Sequence, residues 1–365
     1  MLKKRMLLLS LLFTVGTMAA CSPVSKADAP IATQQIEKTV HTPQKALAEN
    51  KTTKVNTVKK ETYSPTAKQV KEDYKAPVDT SRQIVKQWNI GEYDPDSVIA
   101  TFYADGELKI TGRGQADAYG DTLGPHAFWD IPWLRDESVR DAITKVSMEE
   151  TVIPNFMNSW FSDCKNLTDI SDLHLYQGTG LHGDGIYYMS HIFYGCEKLT
   201  DISNLVIPDT VENLEWAFCG SGIKTIPSTF NLNGVAYAEG LFACSALESA
   251  ENFVVPSSVK NADVMFWNCP NLKNINGLTI ESGVDSAFRF LGSSRAAEGT
   301  MTIKSNLKEY DWFFENASCN GNGLVVNYTS DSQSIIDKVI KTANQYNDKG
   351  EVIIAGKVNK GTMVQ

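Results

Sequence analysis

Seven cysteines are the residues of this sequence best able to do chemistry, because a thiolate can attack a substrate, bind a metal or join a second thiol. Six lie downstream of residue 160, at positions Cys164, Cys196, Cys219, Cys244, Cys269 and Cys319. Three of these share one position of a repeated pattern, and two others lie within one or two residues of it. A residue that recurs with every repeat is a poor candidate for a unique catalyst. We therefore expect buried free thiols, with disulfides as the alternative.

Other chemical motifs are missing from the sequence. It contains no Cys-x-x-Cys pair, no His-x-x-x-His pair, and none of the usual serine-nucleophile, phosphate-loop or zinc-protease signatures. Acidic pairs such as Asp169 and Asp172 recur beside the predicted strands, where a solvated rim accounts for them. We predict no catalytic residue, no metal and no cofactor, and hence a protein that is not an enzyme.

Three residues are candidates for a ligand surface. His182 and Asp184 lie together in the glycine-rich segment 176–185, and Trp267 is the tryptophan expected to face solvent. For the first two, the alternative is chance proximity in a tolerated surface loop. For Trp267, as for Trp160, Trp216 and Trp312, it is core packing.

The N-terminus has the layout of an export signal. Lys3, Lys4 and Arg5 precede an apolar run that ends with small residues before Cys21. Met18-Ala19-Ala20-Cys21 resembles the lipobox of bacterial lipoproteins, in which the cysteine is acylated after cleavage. That resemblance implies palmitate-type lipidation of Cys21 and a membrane anchor; the alternative is an ordinary signal peptide with Cys21 as a bystander.

Composition separates a tether from a folded body. Residues 22–85 lack Gly, Cys, Phe and Trp, so they cannot bury enough apolar surface to fold, and we predict a disordered tether. Residues 86–365 hold 20 Lys or Arg and 36 Asp or Glu. An acidic body argues against nucleic acid as a partner, since phosphate binding requires clustered cations.

The body is built from an internal repeat. Segments beginning at Phe161, Phe193 and Phe266 share the template Phe-x-x-Cys-x-x-Leu-x-x-Ile. Phenylalanines follow at 161, 193, 218, 242, 266 and 288, and valines at 211, 235, 259 and 284. A period of about 24 residues is typical of a leucine-rich-repeat solenoid, in which coils stack because none can bury its apolar face alone.

Each coil is predicted to combine a short strand with a helical or irregular return segment. Leu205–Ile207 and Leu278–Ile280 are the expected strands, and Met157, Trp160 and Phe161 have the spacing of one helical face. These repeats resemble the BspA-type leucine-rich-repeat surface proteins over about residues 146–326. The resemblance implies display at the cell surface and binding of host or neighbouring-cell proteins.

The chain ends of the repeat region have their own signals. Asp105-Gly106 between alternating segments predicts a β-hairpin, and Ser334–Gln345 followed by Val352–Ala355 predicts a helix and a strand. The predicted architecture is an α/β solenoid between an N-terminal β-hairpin cap and a C-terminal helix–strand cap. The predicted boundaries are 1–20 for the signal peptide, 21–85 for the lipidated tether, 86–145 for the N-terminal cap, 146–328 for the repeats and 329–365 for the C-terminal cap.

The resulting functional hypothesis is a lipid-anchored protein on the extracytoplasmic face of a bacterial membrane that binds extracellular or host proteins. Two alternatives stay open: a passive structural lipoprotein of the envelope, and a glycan-acting enzyme that uses segment 176–185 or 115–133.

Overall fold

The computed structural model of the protein describes residues 74–117, 131–178, 185–346 and 349–365. Cys21, His182 and Asp184, with the predicted signal peptide and most of the predicted tether, lie outside this part of the chain. Short strands predominate within it, together with a 3-10 turn at Pro95–Ser97 and two short helices, α1 (Glu137–Arg140) and α2 (Ile336–Lys341). The strands are β1 (Ile84–Asn89), β2 (Val98–Tyr103), β3 (Glu107–Gly112), β4 (Gly114–Ala116), β5 (Lys145–Met148), β6 (Val152–Pro154), β7 (Val254–Val255), β8 (Leu278–Ile280), β9 (Gly299–Ile303), β10 (Leu324–Tyr328), β11 (Gln345–Tyr346), β12 (Val352–Ile354) and β13 (Val358–Met363).

A four-stranded sheet precedes the repeats, in the order β1-β2-β3-β5. Strands β2 and β3 form the antiparallel hairpin predicted at Asp105-Gly106, and Gly106 has the positive φ that such a turn favours. Strand β5 pairs in parallel with β3 and leads directly into the first repeat. Trp133 packs edge-to-face on Trp160 and donates a hydrogen bond to its carbonyl oxygen at 2.6 Å, so this region covers the first repeat.

The predicted tether ends too late. Arg82 forms ion pairs with Asp105 and Glu107, the Arg113 guanidinium lies over the Tyr74 ring, and Ala76 is buried. These contacts fix residues 74–85 to the hairpin, because Arg82 and Tyr74 find partners that only the folded chain provides. The end of any tether therefore lies before Tyr74.

Parallel pairing between successive segments confirms the predicted period. One row of bridged residues runs through Phe156, Tyr188, Asn213, Tyr237, Asn261, Ser286 and Glu309. Neighbours in this row are 32, 25, 24, 24, 25 and 23 residues apart. We call the stretch that begins at each of these seven residues a coil, and the seven coils lie side by side along this row.

A second row of pairing lies on another side of the coils. Strands β7, β8, β9, β10 and β13 form a parallel sheet in the order β13-β10-β9-β8-β7, and the predicted strand Leu278–Ile280 is β8. The predicted strand at Leu205–Ile207 does not form, although Leu205 and Ile207 are buried. Burial alone therefore does not produce a strand here.

A column of stacked aromatic rings fills the interior. Phe161, Phe193, Phe218, Phe242 and Phe266 are fully buried, and consecutive ring centroids in this column are 5.5–5.8 Å apart. Such offset stacking adds to the free energy gained from burying the rings.

The sequence suggested that Phe288 continues this column, but in the structure it does not. The Phe266 amide donates to the Phe290 carbonyl oxygen, which places Leu291 in the position of the earlier phenylalanines. Phe288 is half-buried three residues before it. The interval from Phe266 to Leu291 is 25 residues, so the period holds although the residue type changes.

The return segments are turns and not helices. Met157, Trp160 and Phe161 are buried as expected, but Ser159 and Asp163 have positive φ angles of 62° and 56°. The amides of Ser159, Phe161 and Asp163 donate to carbonyl oxygens of the next coil at 2.7–3.0 Å. An α-helix would keep these bonds within the segment. The neighbouring coil holds the turn instead.

The C-terminal segment resembles its prediction in shorter form. Helix α2 buries Ile336 and Val339 against the last coil, and β12 pairs with β11, while β13 joins the parallel sheet. None of the helices in the described ranges is long and apolar enough to cross a bilayer.

Candidate binding surface

Cys164, Cys196 and Cys269 share one position of the repeat, and we call them the cysteine column. This column is part of the scaffold. The thiols of Cys196 and Cys269 donate to the carbonyl oxygens of Phe161 and Phe242, each at 3.1 Å and each in the preceding coil. Ser294, in the equivalent position, donates to the Phe266 carbonyl at 2.6 Å. A small donor at this position can therefore satisfy a buried carbonyl of the preceding coil, as Cys196, Cys269 and Ser294 do.

Burial also makes these thiols unreactive. It raises the pKa of Cys269 to about 12, and raises the pKa values of Cys164, Cys196 and Cys219 as well. These groups remain protonated at neutral pH, so they are poor nucleophiles.

The expectation of free thiols holds for five of the six cysteines. Cys164, Cys196, Cys219 and Cys269 are free and buried, and Cys319 is free and half-buried. Cys244 is the exception, since it is disulfide-bonded. It is half-buried at an outer turn of its coil, where its sulfur is more accessible than those of the cysteine column.

Of the three predicted ligand residues, only Trp267 lies in the described part of the chain. It is half-buried, and its Cδ1 would lie 3.1 Å from a Cβ added to Gly292 of the next coil. Trp312 is more open, with 47% of its surface exposed. The tryptophan that faces solvent is therefore Trp312, because Trp267 packs over a glycine.

Two rows of left-handed residues mark the outer turns. In each coil two residues four positions apart have positive φ. The first row is Ser159, His191, Trp216, Gly240, Val264, Arg289 and Trp312, and the second is Asp163, Gly195, Gly220, Cys244, Asn268, Ser293 and Asn316. Left-handed backbone is costly for bulky residues, above all for Val264. In every coil except the last, the amides of both residues donate to carbonyl oxygens of the next coil, which holds this conformation in place.

We define the turn face as the outer side of the seven segments that run from each bridged residue to the second left-handed residue. These segments are 156–163, 188–195, 213–220, 237–244, 261–268, 286–293 and 309–316. Aromatic residues recur on this face: Phe156 stacks on Tyr188 at 5.4 Å, and Tyr237 is 47% exposed. Half-exposed aromatic side chains of this kind are enriched where proteins bind partners.

Contacts along the first left-handed row run from coil to coil. His191 stacks on Trp216 with ring centroids 6.5 Å apart, and the Trp216 ring covers Gly240, where a Cβ would overlap it. Further along, the Arg289 guanidinium lies 5.8 Å from the Trp312 ring and its Nε lies 3.1 Å from Glu315. Glycine at position 240 thus provides the space that the large ring of the preceding coil requires.

Titratable groups gather at the first two coils of the face. Burial raises the pKa of the Asp163 carboxyl, which lies over Gly195, and lowers the pKa of His191 to about 4. The pKa of Tyr194 is raised by burial and then by the nearby Cys219 and Asp163. The His191 and Tyr194 rings are 5.7 Å apart.

Sequence reasoning missed this face because it assumed helical return segments. One signal could have revealed it: Gly195 and Gly220 occupy the same position of consecutive coils, and glycine recurring in step with a repeat indicates left-handed backbone.

Comparison with known proteins gives one distant likeness. No family model and no curated protein matches the chain. Among solved structures, a leucine-rich repeat protein from Eubacterium ventriosum is similar to 67% of this chain and 79% of its own, with 14% identity and a TM-score of 0.32.

Within the described ranges, no group of three or more His, Cys, Asp or Glu residues is placed to hold a metal ion.

Proposed function

We propose that this protein is a leucine-rich-repeat binding scaffold, a solenoid that engages a protein partner through its turn face. One observation supports this most. The buried position of the interior column is phenylalanine in most coils, whereas the side chains on the turn face differ from coil to coil. Interior uniformity follows from stacking, whereas the outer positions are free to vary and hold half-exposed His, Tyr and Trp.

The location of this scaffold is part of the proposal. Cleavage and acylation at Cys21 would anchor the chain to the extracytoplasmic face of a bacterial membrane; because acylation uses the Cys21 sulfur, this anchor excludes Cys21 as the disulfide partner of Cys244. Replacing Cys21 with Ala tests this: we expect loss of metabolic labelling by palmitate and release from the membrane fraction. Retention of both in the variant would refute the anchor and leave the binding role intact.

Capture from host and microbial extracts tests the binding role. Wild-type full-length protein is compared with a turn-face variant (Tyr237→Ala with Trp312→Ala) and a sheet variant (Val254→Ala with Val325→Ala). All four side chains are exposed, by 37–47%, so neither pair is expected to unfold the protein.

We expect wild type and the sheet variant to retain a protein that the turn-face variant loses. Equal retention by all three would place binding elsewhere. Absence of any retained protein, with the chain folded, would favour a passive structural lipoprotein of the envelope.

A further inference from the structure

We propose that the first coils of the turn face carry a site for an arginine side chain of the partner, formed by Asp163, His191, Tyr194 and Trp216. This inference rests on the proposed function and specifies the chemistry of its partner. We call these four residues the arginine site.

The first step is the state of Asp163. Within the described part of the chain its carboxylate makes no hydrogen bond and no ion pair, although it is partly buried over Gly195. Arg140 and Lys165 influence it electrostatically but pair elsewhere. Arg140 Nε lies 3.2 Å from Asp141 and its Nη2 3.6 Å from Glu137, while Lys165 Nζ lies 3.5 Å from Glu197.

A partly buried carboxylate without a partner is costly, since it has lost part of its hydration and gained no compensating bond. Burial is the main reason that the pKa of Asp163 is raised. A cation from outside the chain would supply the missing partner.

The second step is the wall beside this carboxylate. Tyr194 lies close enough to Asp163 for that charge to raise its pKa. Its ring contacts His191, which in turn stacks on Trp216. All three rings are half-buried, and their contacts with one another and with Gly240 hold them in place.

These two features together select a guanidinium. Its planar face stacks on aromatic rings, and its edge donates paired hydrogen bonds to a carboxylate. An ammonium can satisfy the carboxylate but stacks less well, and an anion would be repelled. The excess of acidic over basic residues in 86–365, 36 against 20, also favours a cationic partner.

The test uses Nα-acetyl-arginine amide as the probe, added to the full-length protein and followed by NMR of the tryptophan indole N–H signals. The Trp216 signal is identified by its disappearance in Trp216→Phe. We expect that signal to move saturably with the arginine probe. The uncharged citrulline analogue should bind roughly tenfold more weakly or not at all, and the lysine analogue should fall between them.

A matched pair of variants assigns the effect to Asp163. Asp163→Asn and Asp201→Asn each remove one negative charge from the first two coils, and Asp201 is exposed and outside the arginine site. We expect Asp163→Asn to weaken the arginine probe roughly tenfold and Asp201→Asn to leave it unchanged. Urea unfolding confirms that both variants are folded.

Three results would overturn the arginine site: no saturable shift in folded wild type, equal affinity for arginine and citrulline, or equal effects of the two variants. Such a result, with a protein still captured through the turn face, removes this inference alone. Conversely, a bound probe without any captured protein removes the proposed function and keeps the site.

Discussion

The interior and the turn face of the same coils follow opposite rules. The interior row repeats one residue type, from Phe161 to Phe266, while the left-handed row changes at every coil, from Ser159 to Trp312. Each row keeps its own backbone geometry from coil to coil. The difference shows that stacking determines the interior side chains, whereas on the turn face it determines only the backbone.

The largest expected effect on the free energy of unfolding comes from a substitution in the interior. Phe218 is fully buried between Phe193 and Phe242, with centroid distances of 5.6 and 5.5 Å. We expect Phe218→Ala to lower the free energy of unfolding by about 3–5 kcal/mol, because it removes a ring and leaves a cavity. Trp312→Ala is the control from the outer row and should cost less than about 1 kcal/mol, as its side chain is 47% exposed. Urea denaturation compares them, and similar losses would remove the distinction between the rows.

The next effect concerns protonation of His191, which belongs to the first left-handed row. Burial lowers the pKa of His191 from 6.5 to about 4, so the folded state prefers the neutral imidazole. The contribution of the neutral His191 imidazole to the free energy of unfolding is fully present above pH 6.5. It is lost as the pH falls toward 4, and the loss is at most about 3 kcal/mol.

The raised pKa of Asp163 acts with the opposite sign, reducing stability as pH rises above the ordinary carboxyl value. The measurement is therefore the difference between wild type and His191→Asn in free energy of unfolding at pH 7 and pH 4.5. We expect the variant to lose less stability on acidification. An identical loss in both proteins would show that His191 is not the responsible group.

A smaller effect tests whether the residues of the first left-handed row are optimised for stability. Val264 has a φ of 49°, a conformation that a β-branched residue adopts at a cost. We expect Val264→Gly to raise the free energy of unfolding by about 1 kcal/mol. Val259→Gly, at a fully buried valine, is the control and should destabilise the protein. Destabilisation by both substitutions would mean that the Val264 side chain contributes to stacking.

The smallest effect sharpens the role of the cysteine column. We expect Cys269→Ser to stay within about 1 kcal/mol of wild type, since Ser245 and Ser294 occupy equivalent positions. Cys269→Ala removes one of two side-chain donors to the Phe242 carbonyl, while Ser245 Oγ still donates to it at 2.7 Å, and should cost at most about 1 kcal/mol more than the serine variant. Thermal unfolding ranks the two, and an alanine variant as stable as the serine variant would exclude a role for the hydrogen bond.

The sequence predicted the parts of the fold that depend on periodic burial. The 24-residue spacing, the stacked phenylalanines and the Asp105-Gly106 hairpin follow from residue type and interval, and the structure contains all three. Helical return segments were predicted wrongly because Met157, Trp160 and Phe161 have a spacing that suits a helix and a stacked turn equally. Only hydrogen bonds to the neighbouring coil distinguish the two, and these join residues 22 to 31 positions apart.

The turn face was less accessible to sequence reasoning for the same reason. Trp267 and Trp312 both stand next to phenylalanines in the sequence, yet one packs on Gly292 and the other is open to solvent. The contacts that separate them lie between coils. Asp163 likewise has an ordinary sequence context, and its missing partner becomes visible only in three dimensions.

The most direct test of the division between interior and turn face compares two residues that stand two positions apart in one coil. Trp216→Ala and Phe218→Ala are measured for free energy of unfolding and, where folded, for retention of a protein captured by wild type. We expect Trp216→Ala to cost no more than about 2 kcal/mol and to lose the captured protein. Phe218→Ala should cost about 3–5 kcal/mol and retain the captured protein in its folded fraction. The reverse assignment, with Trp216 required for folding and Phe218 for binding, would contradict the division.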